Sequence, residues 1–306
     1  MHKYDRKIWL NGKILPVQEA TINVLSPTAQ FGANVFEGIR CYWSASTQSL
    51  AAFKLEEHFD RLERSLKMFR IKCPYPRQDW LLYIRDIVQA NNYREDIAIR
   101  HTVFVDGDSG SWFSTEPVGM FIAPISRPRK AVPLATGISC CISSWERISE
   151  RTISPKIKVG ANYINSRMAQ IEATTNGYDS ALFMNREGTV AEGPGSCFFM
   201  VRNGVLITPP LSASVLESIT REVLLELGRM QGIPVVERAI DRTELYICDE
   251  AFLCGSAAEL TPILSVDGYT VGSGAPGPLT TALHEQYLRA AEGKLPGCET
   301  WATSLH

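Results

Sequence analysis

The stretch DIAIRHTVFVDGD, residues 96–108, repeats with a period of two, and a strand of this kind must bury one of its faces. Its alternation puts Ala98, Arg100, Thr102 and Phe104 on one face and Ile97, Ile99, His101, Val103 and Val105 on the other. NVFEGIRCYW (34–43) alternates in the same way, with Phe36, Gly38, Arg40 and Tyr42 together. KLEEHFDRLERSLKMFR changes period: Phe59, Leu62, Leu66 and Phe69 recur at helical spacing. Ahead of these, KIWLNGKILP reads as a hairpin turning at Asn11-Gly12. PISRPRKAVP (124–133) is rich in proline and charge and has no period, which suits a linker.

Beyond 133 the pattern runs strand, loop, helix. The helix that follows the small-residue turn of SPKIKVGANYINSRMAQIEA carries Ile164, Met168 and Ile171 on one stripe and ends at Asn176-Gly177. SALFMNREGTVAEGPGSCFFMVRNGVLITPP reads as three or four short strands with turns at 185–188 and 202–204. Ser218 is placed to cap ITREVLLELGRMQG, with Ile219, Val223, Leu227 and Met230 facing inward and Gly232 closing the helix. Asp241 and Glu244 suit a capping box, Asp267-Gly268 a hairpin turn, and a last helix runs from about Pro278 to Gly293. Strands and helices mixed without strict alternation favour α+β domains over a doubly wound sheet. The expected division is a smaller α+β domain over 1–123, the linker over 124–133, and a larger α+β domain over 134–306.

Several function classes drop out. With 31 basic and 33 acidic residues among 306, the chain has no charge footprint for nucleic acid or anionic membrane. No apolar run reaches membrane-spanning length, and MHKYDRKIWLNGK lacks the apolar core of a signal peptide. The eight cysteines form no C-x-x-C pair, and reduced thiols of a cytosolic protein are expected. No Walker loop, nucleophile elbow or metal-ligand spacing is present, and His58 and His101 read as satisfied structural groups.

SPKIKVGANYINSRMAQIEA (154–173) is different. A loop lysine is ordinarily a solvated surface group, and Lys156 beside Pro155 fits that description. Lys158 has apolar neighbours in Ile157 and Val159, as a desolvated nucleophilic amine needs, and small residues follow it. Glu192 in TVAEGPGS is either an exposed turn carboxylate or one aimed from a strand end into a cleft. Arg61 lies beside the apolar stripe of its helix. Ser218-Ile219-Thr220 forms a helix start whose amides suit phosphate, and CGSAAE (254–259) offers a hydroxyl and further amides. An amine, a carboxylate and two anion cradles are together what a pyridoxal phosphate site requires.

The chain resembles the fold-type IV pyridoxal-phosphate enzymes, and among them the branched-chain aminotransferases. FGANVFEGIRCY, EHFDRL, SSWERISERTISPKIKVGANYINS, VAEGPG, SITRE and CGSAAELTPI carry the likeness, which covers nearly the whole chain. The resemblance implies a two-domain α+β homodimer, with active sites near the domain and subunit boundaries. It implies a Schiff base on Lys158, Tyr163 on the cofactor's phenolic oxygen and Glu192 on the pyridine nitrogen. The phosphate falls to Arg61, the amides of Ile219 and Thr220, and Ser256. The substrate side takes in Phe36, Arg40, Ala98, Arg100, Ser256 and Ala257, with Arg100 receiving the side-chain carboxylate of glutamate. The chain departs from the family at Phe31 and Ala98, where tyrosines are usual, at Ser196 and Cys197 (glutamate and asparagine), and at His101 (proline). The implied activity is amino transfer from an amino acid, by default branched-chain or otherwise hydrophobic, to a 2-oxo acid such as 2-oxoglutarate. Transfer from D-amino acids or unusual amines, an aminodeoxychorismate-lyase-like reaction, and a binding protein without chemistry are the alternatives.

Overall fold

The computed structural model describes residues 6–129 and 136–306. The chain forms two compact units. The first takes residues to Arg129, then Ile157–Ala161 and Arg289–His306; the second takes residues to Lys156 and Asn162–Leu288.

In the first unit β1 (Lys7–Leu10) and β2 (Lys13–Pro16) form the expected hairpin, with Asn11 and Gly12 both at positive φ, 48° and 85°. A short helix α1 (Pro27–Phe31) leads to β3 (Asn34–Ser44) and β4 (Ser49–Phe53). The helices α2 (Leu55–Phe69) and α3 (Trp80–Asn91) follow, then β5 (Ile97–Val105) and β6 (Val118–Ser126). With a strand from the end of the chain, these make an antiparallel seven-stranded sheet. Its core face carries Val35, Ile39, Ile97, Ile99 and Val103 against Phe59 and Leu62 of α2 and Ile84 and Val88 of α3. The period-two reading of β3 and β5 therefore gives the correct faces.

The second unit holds β7 (Ile138–Ile142), α4 (Tyr163–Thr175), β8 (Ser180–Leu182), β9 (Glu192–Gly193), β10 (Ser196–Arg202) and β11 (Val205–Thr208). It continues through α5 (Ile219–Met230), β12 (Val235–Glu237), β13 (Glu250–Gly255), β14 (Glu259–Val266) and β15 (Tyr269–Thr270). The helix α6 (Pro278–Ala291) then leads to β16 (Ala302–Ser304), which pairs with β4 in the first sheet. The second sheet has nine strands and mixed direction, with β12, β7 and β8 in parallel pairings.

Four sequence expectations change. Pro124–Ser126, expected in the linker, are the end of β6, paired with Ile97–Ile99, because Ile125 continues the strand's period; residues 130–133 lie outside the described residues. The segment Ile157–Ala161 clusters with the first unit, because Val159 bridges Val35 and fills that unit's core. On α4 the stripe of Ile164, Met168 and Ile171 is exposed, and the small residues Ala169 and Ala173 face the core instead. Met230 at the end of α5 is likewise exposed, whereas Val223 and Leu227 are buried as read.

His101 is only partly satisfied. It is fully buried on the core face of β5, opposite Glu37, with Trp80 and Phe59 edge-on at 5.0 and 6.0 Å. Its Nε2 lies 3.2 Å from Met120 Sδ, and Nδ1 has no hydrogen-bond partner among the described residues. Burial pushes its pKa down to about 3, against a weaker upward pull from Glu37. The unfolded chain binds the proton first, near pH 6.5. His101 therefore adds stability above that pH, and the contribution is lost as pH falls from 6.5 towards about 3. Thermal unfolding of the cofactor-free protein should drop between pH 7.5 and 5.5, and His101→Phe should flatten that slope; an unchanged slope in the variant would refute the assignment.

Candidate active site

In the first unit the site is built around a five-residue visit of the chain. Lys158 C=O accepts from Phe36 N–H at 3.0 Å, Val159 bridges Val35, and Lys158 N–H donates to Ser65 Oγ at 3.2 Å. The lysine backbone is thus held by β3 on one side and α2 on the other. Gly160 lies in close approach to Asn34: a Cβ there would meet Asn34 Nδ2 and Oδ1 at 2.8 Å each, so a larger residue would have to displace that amide.

The Lys158 ammonium stands 5.0 Å from the centre of the Phe36 ring, and the Arg100 guanidinium 4.3 Å from the same ring. Lys158, Phe36 and Arg100, singled out separately in the sequence, therefore converge on one aromatic ring. Ala98 lies on the same sheet face, directly opposite Arg40 in register, as Gly38 lies opposite Arg100. Arg40 is buried, donates to Arg127 C=O, and sits 5.4 Å from the Tyr42 ring. Lys156, by contrast, is an outlying side chain 3.7 Å from Glu150.

Arg61 is not a solvated helix flank. Its Nε and Nη2 donate to the two carboxylate oxygens of Glu37 at 2.8 and 2.7 Å, and the pair is buried. His58 Nδ1 meets the same carboxylate at 2.7 Å.

In the second unit Glu192 opens β9, directly opposite Cys197 of β10, and is 3 % exposed. One carboxylate oxygen pairs with Arg147 Nη2 at 2.7 Å; the other accepts from Leu216 N–H at 3.2 Å and lies 3.7 Å from Cys197 Sγ. Glu192 is therefore not an exposed turn carboxylate. Cys197, a departure from the family pattern, touches the carboxylate itself, so the departures are not confined to the substrate strands. Ser218 caps α5 by accepting from Arg221 N–H, and Ile219 and Thr220 hold the first-turn positions whose amides have no acceptor within the helix. Tyr163 is the half-buried first residue of α4. Ser256 and Ala257 form the turn between β13 and β14, closed by Ala258 N–H to Gly255 C=O at 3.1 Å.

Sequence reasoning missed Glu37, His58 and Ser65 as partners, and Arg147. The signal for the first three was available: 58, 61 and 65 share one helix face, and a carboxylate at 37 interrupts the apolar face of β3. Arg147 lies within the quoted SSWERISERTI block and has no periodicity to mark it.

The description "Amino-transferase class IV" matches residues 34–266, and the chain belongs to that family. It is 36 % identical over 292 residues to the branched-chain-amino-acid aminotransferase of Salmonella typhimurium, covering 94 % of this chain and 93 % of that one. It is 37 % identical over 302 residues to the enzyme of that name from Pseudomonas aeruginosa, covering 98 % and 97 %. Among solved structures, the branched-chain amino acid aminotransferase of Thermobaculum terrenum in PLP-form superposes with TM-score 0.92 at 40 % identity, covering 99 % of both chains. The branched-chain aminotransferase of Thermoproteus uzoniensis with norvaline gives TM-score 0.92 at 37 % identity, covering 98 % of this chain and 99 % of that one.

The Arg147–Glu192 pair is buried on both sides. Replacing one partner leaves an uncompensated charge, at a cost of about 3–5 kcal/mol. Arg147→Met should lose stability on that scale in urea unfolding at neutral pH, and a loss below about 1 kcal/mol would mean the pair is not structural.

Proposed function

We propose that this aminotransferase moves the amino group of a hydrophobic L-amino acid, by default leucine, isoleucine or valine, to a 2-oxo acid such as 2-oxoglutarate. The supporting observation is the sheet face that carries the apolar Phe36 and Ala98 and, with them, Arg100, the centre of the Phe36 ring lying 5.0 Å from the Lys158 amine and 4.3 Å from the Arg100 guanidinium. An apolar side chain suits the first part and the second carboxylate of a dicarboxylic partner suits the arginine, so one site serves both half-reactions.

The enzyme works with pyridoxal 5'-phosphate, and its residues fit that group. A buried, firmly held carboxylate (Glu192), a capped helix start (Ser218, Ile219, Thr220), a buried guanidinium (Arg61) and a half-buried amine (Lys158) are the donor types it requires. When bound, the cofactor supplies a carbonyl that takes up the amino group and a ring that draws off negative charge.

The roles we assign are those the family resemblance implies. Lys158 Nζ anchors the cofactor and carries a proton to and from the substrate Cα. Glu192, held by Arg147 and the Leu216 amide, keeps a negative charge for the ring nitrogen. Tyr163 donates to the phenolic oxygen. Arg61, the amides of Ile219 and Thr220 and the Ser256 hydroxyl hold the phosphate. The Ser256-Ala257 backbone receives the substrate α-carboxylate, Arg100 the distal carboxylate, and Phe36, Arg40 and Ala98 shape the side-chain site.

Loss of the family's tyrosine at Ala98 removes a donor and opens space opposite Arg40, which favours bulkier side chains. We also read the enzyme as a cytoplasmic homodimer. Its eight free cysteines suit a reducing compartment, and no helix among the described residues is long and apolar enough to cross a membrane.

Lys158→Ala should reduce turnover at least about a thousandfold while the fold is retained by circular dichroism. Ala98→Tyr should shift kcat/KM towards leucine, isoleucine and valine relative to bulkier donors by about tenfold. Visible spectra recorded during titration with L- and D-amino acids and 2-oxoglutarate check the class: reversal by D-amino acids alone would move the enzyme to that substrate class, and no reversal with any amino acid would point to the lyase.

A further inference from the structure

The core face of β3 is a costly place for a carboxylate. Glu37 lies there between Val35 and Ile39, all three without solvent exposure. Taking an ion out of water is expensive unless its partners are well placed, and an apolar residue would have filled the position. What the carboxylate provides is a fork. Its two oxygens accept from Arg61 Nε and Nη2 at 2.8 and 2.7 Å, a planar two-bond match that fixes the guanidinium in one orientation. His58, one turn earlier on α2, meets Oε2 at 2.7 Å and so fixes the carboxylate in turn.

The same face of α2 continues to Ser65, whose hydroxyl accepts from the Lys158 amide. One buried polar stripe, His58–Arg61–Ser65, therefore runs beside the apolar stripe Leu55–Phe59–Leu62–Leu66. It holds both the arginine and the lysine backbone.

We infer that Glu37, braced by His58, is a positioning residue for phosphate recognition: it takes the Nε–Nη2 edge of Arg61 and so directs the Nη1 side at the phosphate. This rests on the reading of Arg61 as a phosphate-holding group.

The protonation states agree. Burial alone would raise the Glu37 carboxyl, but the Arg61 charge and the hydrogen bonds from Arg61 and His58 hold it far below the usual range. Burial keeps His58 below its usual range, ahead of the opposing pull of Glu37, so the ring is neutral and donates through Nδ1. A competing effect has the opposite sign. Glu37 also cancels part of the Arg61 charge, so if orientation were unimportant, removing the carboxylate charge would strengthen phosphate binding.

The test is a titration of cofactor-free protein with pyridoxal 5'-phosphate and, separately, with pyridoxal, which lacks the phosphate. Binding is followed by absorption and tryptophan fluorescence. In Glu37→Gln the preference for the phosphorylated form should fall by about tenfold or more, the scale seen when an orienting partner of a ligating group is lost, with pyridoxal affinity unchanged. Equal loss for both ligands means a merely structural role and overturns the inference, as does a preference that holds or rises.

Arg61→Gln separates the two layers. If it abolishes the preference while Glu37→Gln leaves it intact, only the positioning role fails; if it too has no effect, the phosphate role of Arg61 fails first. Should Glu37→Gln not fold, His58→Phe takes its place. A several-fold fall in preference supports the brace, and no change overturns it.

Discussion

The antiparallel bridge between Val35 and Val159 is the contact on which the site depends. Through it, five residues from the middle of the chain join the N-terminal sheet, and Lys158 arrives with its backbone already hydrogen-bonded to Phe36 and Ser65. A flexible lysine on a mobile loop would have to be ordered at each turnover, at an entropic cost. Here the sheet meets that cost once, on folding. The glycine that follows exists because the Asn34 amide occupies the space of a side chain.

The sequence was most informative where a period was strong. β3, β5 and α2 each hold one period throughout, and their faces follow from it. The paired positive-φ turns at Asn11-Gly12, Asn203-Gly204 and Asp267-Gly268 were legible because their chemistry is local. The α4 stripe misleads because hydrophobicity is not burial: Ala169 and Ala173 fit against Ala181 and Phe183 where larger residues would not, and the isoleucines and Met168 face outward. The linker was misplaced because proline and charge mask a strand end whose pairing partner is the distant Ile97.

The site divides in the same way. Lys158 and Glu192 were visible as residue types, and the family resemblance supplied their order. Which side chains pair was less visible: positions 37, 58 and 61 carried a signal, but Glu37, Arg61 and His58 meet only after β3 and α2 pack. Arg147 reaches Glu192 across forty-five positions of sequence. Buried charges carry little sequence signature of their own, since the same letters on a surface mean nothing. Cys197 shows the converse: a departure noted as a letter gains meaning only when its sulfur is found against the Glu192 carboxylate.

The strand β16 brings residues 302–304 back to β4, and Leu305 N–H donates to Leu50 C=O at 2.9 Å. The first sheet is thus edged by residues that are synthesised only after the whole second unit. During translation β4 stands as an open edge, with Ala52 and Phe53 offered to any neighbouring chain until residues 302–304 emerge. A chain cut short of residue 302 would leave that edge without its partner strand.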